Sequence, residues 1–363
     1  MKKIIFILIC SLYPFHIIAQ ADIDSSEVNK IEYAYYPMAF YTPETEFAFG
    51  AGGMLYTRLG VEKYIFPSKI EFSGYYTTND QLSLSVLPKL YFGGSARVTS
   101  ESEFIYAKEV SKFYGIGNSK PEIENPEYEI ASFRAYTELG IATPLLDNLS
   151  VGLIYEFSTN KILNKRENQE LINNNVLGSD KGNTSGLGIS FTYDDRNNAF
   201  YPTKNGFIKA RMIFMDEFWG SDFNYRKLVL DFRRYLDLGS AHIIASQFYL
   251  ESTSGDIPFF KLPALGGAQR MRGYFLGRYR DESYLTWHLE FRKMIGWRLG
   301  AVAFAGIGDV ANKLSQFKLA EFKYSYGFGF RYAFDEKENL NIRMDIGFGK
   351  NTKGVYFALE EAF

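Results

Sequence analysis

The chain has 363 residues, with 40 Lys and Arg against 42 Asp and Glu and a formal net charge of −2. So close a balance excludes the basic footprint of a nucleic-acid binder, and the length permits two or three ordinary domains or one large all-β domain. Aromatic residues make up 17% of the chain, with 33 Phe and 27 Tyr, a load too large for an ordinary soluble core and suited to interfacial girdles and a lipid-facing surface.

Residues 1–21 read as a secretory signal peptide. Lys2 and Lys3 give the charged start, Ile4 to Ile18 is mostly apolar, and Ala19-Gln20-Ala21 offers a small-x-small cleavage site. The apolar run is short for a membrane helix and is broken by Pro14 and His16. The single cysteine, Cys10, lies inside it, so the mature chain would carry no thiol or disulfide chemistry. Residues 22–30 follow as a short polar segment.

From Ile31 onward no apolar run reaches the length of a membrane helix. Period-two alternation recurs instead, broken by Gly, Asn, Asp and Pro. In the clearest case Tyr324, Tyr326, Phe328, Phe330, Tyr332 and Phe334 share one face, opposite Ser325, Gly327, Gly329, Arg331 and Ala333. Further on, Leu340, Ile342, Met344, Ile346 and Phe348 oppose Asn341, Arg343, Asp345 and Gly347. Large apolar groups against charges and glycine is the pattern of a lipid-facing exterior around a polar lumen; a soluble sandwich would keep its outward face polar. Such segments, about sixteen of them, begin near Ile31, Glu46, Ile65, Gln81, Ala96, Tyr128, Leu149, Ser185, Gly206, Phe223, Ala241, Ser283, Leu299, Tyr324, Leu340 and Gly354. The fold class predicted is therefore all-β: a transmembrane antiparallel β-barrel over residues 31–363. Gly93-Gly94, Asp237 to Gly239 and Asp335 to Asn339 read as periplasmic turns, and the longer links near 109–126, 160–184 and 253–282 as extracellular loops.

The link over 253–282 is the most informative. A loop of about thirty residues is normally functional or disordered, and this one is too apolar for disorder: it carries Phe259, Phe260, Leu262, Leu265, Met271, Tyr274, Phe275 and Leu276. Gly266 and Gly267 suggest a tight turn or a close approach. Arg272 beside Gly273 suggests a guanidinium aimed at a fixed partner, since Arg is the side chain for buried, forked ion pairs.

The run Gly266, Gly267, Met271, Arg272, Gly273, Tyr274 resembles the lid-loop signature of the BamA/TamA outer-membrane assembly and translocation superfamily, also called the bacterial surface antigen family. Two further stretches match it. Asp194 and Arg196, followed by Phe200, Pro202 and Gly206, resemble the family's turn, in which Gly206 is expected to supply a positive φ. Phe357, Leu359 and the last residue, Phe363, resemble the C-terminal strand signal of outer-membrane barrels, with Glu361 on the lipid-facing phase. The family's larger members carry periplasmic POTRA domains; residues 22–30 leave no room for one, so a barrel-only member is expected. One position departs: Gly306 stands where the family has an Asp, which leaves Glu290, Asp345 and Asp309 as candidate lumenal partners of Arg272.

The resemblance implies a lid loop folded into the lumen and a role in inserting or translocating proteins at the bacterial outer membrane. It also implies a first-to-last strand seam acting as a weak gate. Outer-membrane lipid, unfolded outer-membrane clients and periplasmic or outer-membrane accessory proteins would be the partners. The alternative is a passive pore or a structural barrel subunit of a larger complex. No enzyme is expected and no catalytic residue is assigned: beyond the leader only His242 and His288 remain, with no Gly-x-Ser-x-Gly elbow, His-Glu-x-x-His or phosphate loop. No cofactor and no metal is expected.

Overall fold

The computed structural model describes residues 31–42, 46–57, 67–92, 98–173, 176–336 and 339–363. The expected leader, the 22–30 segment, the Gly93-Gly94 turn and the expected strand starts at Ile65 and Ala96 lie outside them. The described chain is all-β. In order come β1 (Glu32–Thr42), β2 (Glu46–Thr57), β3 (Ser68–Thr77), β4 (Leu82–Phe92), β5 (Val98–Lys112), β6 (Glu127–Ala142), β7 (Leu149–Asn164), β8 (Lys181–Asp194), β9 (Asn205–Met215), β10 (Tyr225–Asp237) and β11 (His242–Gly255). After the short β12 (Ala264–Leu265) and β13 (Tyr279–Arg280) come β14 (Ser283–Met294), β15 (Leu299–Ala311), β16 (Lys323–Asp335), β17 (Leu340–Gly349) and β18 (Thr352–Leu359). All except β12 and β13 form one antiparallel sheet of 16 strands in chain order, with β1 and β18 as its two edges.

Alternation is what makes these strands, and it runs opposite to that of a soluble sheet. Phe330 is 57% exposed while its neighbour Arg331 is 1% exposed. Trp287, Leu289 and Phe291 of β14 are exposed while His288, Glu290 and Arg292 between them are buried. Only a sheet with an apolar solvent outside and a packed polar interior gains from that arrangement. Among the described residues no helix is long and apolar enough to cross a membrane.

The sheet is rolled. Lys209 on β9 bonds Glu101 on β5 at 3.0 Å and Glu138 on β6 at 2.8 Å. Strands four places apart in a flat sheet would stand about 19 Å from each other, beyond the reach of a Lys and a Glu. Lys227 on β10 likewise reaches Glu156 on β7 at 2.6 Å. Links 143–148, 195–204, 238–241 and 295–298 gather at one end, while the longest links, 113–126, 165–180, 256–282 and 312–322, all lie at the other. By the rule of bacterial barrels the short links are periplasmic.

Candidate functional site

The long link over 256–282 turns back into the roll and crosses it. Its first half packs on one wall. Ile257, Phe259 and Leu262 join a buried cluster with Phe113, Tyr128, Ile130, Tyr136, Ile154, Ile213, Met215 and Tyr225. Phe259 sits edge-on to Phe113 at 5.0 Å and to Tyr128 at 5.5 Å. Such pairs contribute roughly 0.5–1.5 kcal/mol each beyond their area. The second half begins as a small hairpin, β12 on β13, and its tip holds the motif residues. Gly266 has φ +115, and a Cβ there would stand 2.2 Å from the Phe275 carbonyl oxygen, so only glycine fits. Gly267 donates its N–H to the Tyr274 carbonyl at 3.1 Å.

Five hydrogen bonds lay the tip on the wall of β14 to β18. Met271, fully buried at φ 49, donates its N–H to His288 Nε2 at 3.1 Å. A backbone N–H can only donate, so Nε2 is the acceptor and His288 serves the lid as a hydrogen-bonding group. Gly273 donates to the Tyr356 hydroxyl at 2.8 Å and accepts from Thr352 Oγ1 at 2.8 Å. Tyr274 accepts the Lys350 N–H at 2.9 Å, and Ser325 donates to the Arg272 carbonyl at 2.5 Å.

Arg272 is fully buried and forks between two strands: one Nη donates to Asp345 Oδ2 on β17 at 2.5 Å, the other to Glu290 Oε1 on β14. Its Cζ lies 3.6 Å from the centroid of the Phe304 ring. The wall is hollowed beneath it. A Cβ on Gly329 would stand 2.0 Å from Asp345 Oδ1, and one on Gly306 2.5 Å from the His288 ring. Gly306 therefore serves as the floor for His288, its partner in register, and the carboxylate comes from Asp345 two strands away.

The two acids extend into a ring of alternating charge. Glu290 also receives Arg292 at 2.7 Å. Asp345 also receives Arg331 at 2.6 Å and Arg343 at 2.8 Å. Glu361 closes the circuit, 2.8 Å from Arg331 and 4.0 Å from Arg292. In order the ring reads Arg272, Glu290, Arg292, Glu361, Arg331, Asp345. Each of these side chains is at most 1% exposed. Buried charges persist only when paired on several sides, and losing one partner costs about 3–5 kcal/mol.

Several expectations are corrected. Asp309 is not a partner of Arg272: it is held by Lys323 at 2.5 Å and Asn118 at 3.2 Å. Glu361 is not lipid-facing and Phe363 is not on the last strand. β18 stops at Leu359, Glu360 turns at φ 65, and the chain enters the lumen. There Phe363 packs with Tyr235 and Ala245, and its carbonyl accepts from Arg292 at 3.0 Å. Of the strand-signal residues only Phe357 is outward and exposed. In the turn, Arg196 forks on Asp194 at 2.8 and 2.7 Å and Pro202 is buried. Gly206 does not supply the positive φ: Asn205 does, at φ 68, tied by its own side chain to the Asp195 carbonyl at 2.9 Å. Asn tolerates that region because its short side chain bonds locally. Gly206 instead passes close to a strand, where a Cβ would meet the Arg233 carbonyl oxygen at 2.7 Å. Arg292, Arg331 and Glu361 are functional-site members that the motif reading omits. Their signal is the inward phase of two arginines beside the acids, and an acid out of phase at the chain's end.

A family model described as the Omp85 superfamily domain matches residues 48–335. No curated protein matches the chain. Among solved structures, BamA from Haemophilus ducreyi lacking POTRA domains 1-3 is similar at 16% identity with a TM-score of 0.55, covering 92% of this chain and 68% of that one. CdiB from Acinetobacter baumannii is similar at 9% identity with a TM-score of 0.53, covering 91% of this chain and 59% of that one. At such identities the likeness is one of fold.

Proposed function

The chain belongs to the Omp85 superfamily and is an outer-membrane β-barrel of that type; from that premise we propose that it inserts or translocates other proteins at the outer membrane, using the edges of its sheet and not an axial channel. The observation that carries this reading is the pair of sheet edges. β1 and β18 end the strand order, and among the described residues no ladder joins them. Strand edges left unpaired in lipid are costly, several kcal/mol per unsatisfied group, and an unpaired edge is a template on which another strand can add. The lid supports the same reading. It is held at both ends, by the Phe259 cluster and by Arg272, and so lies across the path that solute flow would need.

Unfolded outer-membrane proteins would be the clients, accessory proteins would meet the periplasmic rim, and residues 1–21 would be the cleaved leader. The test is reconstitution into liposomes. The protein should speed the insertion of a urea-unfolded outer-membrane barrel, read by protease protection and gel mobility, and should give no large steady conductance in a planar bilayer. Large steady conductance without faster insertion would favour the passive-pore alternative.

A further inference from the structure

At the periplasmic end the two edges of the sheet do not abut; they overlap. On β17, Asn341, Arg343 and Asp345 face the lumen, so Leu340 and Ile342 belong to the outer face. Leu359 pairs directly with Ile342 and shares that face. On β2, exposed Leu55 alternates with Met54 and Tyr56, which are therefore on the inner face. Yet Met54, Tyr56 and Leu340 form one buried cluster, with Phe334 and Leu359 packed against it. An outer face can meet an inner face only if the last hairpin laps inside the wall of the first strands. That overlap explains why Leu340, on an outward phase, is 1% exposed.

The cluster also takes in residues from neither edge: Phe200, 2% exposed, and Ala199 beside it, both in the link between β8 and β9. The link is not a passive turn. Asn198 Oδ1 accepts the N–H groups of Phe200 and Tyr201 at 2.8 and 2.7 Å. Asn197 Oδ1 accepts those of Thr203 and Lys204 at 2.9 and 3.0 Å. The Arg196 fork on Asp194 holds its start. These local bonds fix the loop with Phe200 directed into the overlap. A charged contact crosses the same joint. Lys69 on the inner face of β3 binds Glu360, just past the end of β18, and its ammonium lies 5.1 Å from the centroid of the Phe200 ring.

We propose that the β8–β9 link is a clasp that holds the overlapped edges together from the periplasmic side, with Phe200 as its wedge and Lys69–Glu360 as its polar half. The seam is then closed there by the side chains of a turn, and drawing the turn out of the overlap towards the periplasm frees it. The proposal rests on the packing alone and needs no client, so its failure is distinct from failure of the insertion reading.

The test measures the seam directly in nanodiscs. Once the leader is removed the chain has no cysteine, since Cys10 is the only one. Spin labels placed by Tyr33→Cys on β1 and Val355→Cys on β18, both exposed outward, report the separation of the edges. A control pair, Leu153→Cys and Phe232→Cys, reports an interior stretch of wall. Phe200→Ala should broaden the seam distances at least about twofold and leave the control pair unchanged, because a joint held by side chains opens locally. Phe200→Leu, which keeps the apolar wedge, should stay close to the parent. Glu360→Ala should broaden the same pair and carries the test alone if Phe200→Ala does not fold. Unchanged seam distances in Glu360→Ala and in any folded Phe200→Ala, or equal broadening of the control pair, would overturn the proposal.

Discussion

Gly273 of the lid lies backbone against backbone on Gly347 of β17. A Cβ on Gly347 would stand 2.6 Å from the Arg272 carbonyl carbon, and one on Gly273 2.5 Å from the Phe348 carbonyl carbon. Two strand-like backbones approach this closely only where neither bears a side chain. This contact sets how deep the lid sits, and so whether the Arg272 guanidinium can reach both acids.

Gly347→Ala should therefore lift the lid. Overpacking of a filled site costs roughly 1–3 kcal/mol. The expected outcome is a lower temperature for the gel-mobility shift of the unboiled barrel, together with faster trypsin cleavage at Arg270 or Arg278. An unchanged cleavage rate would place the lid elsewhere.

Arg272→Ala should cost about 3 kcal/mol, the low end for a broken buried pair. Glu290 keeps Arg292, and Asp345 keeps Arg331 and Arg343. Arg272→Lys should not rescue it, because an ammonium cannot fork between two strands as a guanidinium does. Denaturant unfolding in detergent compares the three proteins; full stability in the lysine variant would contradict the fork as the holding contact.

Glu361→Gln should loosen the tail and leave the lid in place. Glu361 bonds Arg331 and, through its other oxygen, Asn341 at 3.1 Å. The neutral amide keeps only part of that, a loss of roughly 1.5–3 kcal/mol for hydrogen bonds to charge. Carboxypeptidase should then reach Phe363 faster than in the parent, with cleavage in the lid unchanged.

Protein recovered from outer membranes should begin near Asp22 when its N-terminus is sequenced, and recovery with Met1 intact would refute a cleaved leader.

Much of the fold can be read from alternation, because a strand between lipid and a polar lumen repeats its chemistry every second residue. The meeting of Arg272 with Glu290 and Asp345 follows from the same phase argument, since both acids stand on inward positions. Alternation is silent on where a strand stops. Leu359 to Phe363 reads as a continuing strand, and only the positive φ of Glu360 turns it inward. It is silent, too, on contacts between the two ends of the sheet. Leu340 and Leu359 have the phase of lipid-facing residues, and it is the overlap with Met54 and Tyr56 that buries or covers them. Asn205 in place of Gly206 at the left-handed position shows the same limit for turns: two neighbouring residues could both supply it, and the side-chain bond to Asp195 decides.

Hydrogen–deuterium exchange in nanodiscs, compared strand by strand, reads whether the barrel works at its edges. The amides of β18 (Thr352–Leu359) should exchange on the order of tenfold or more faster than those of β17 (Leu340–Gly349), because β18 has a ladder on one side only. Equal, slow exchange in both strands would mean a closed seam with no edge on which a client strand could add.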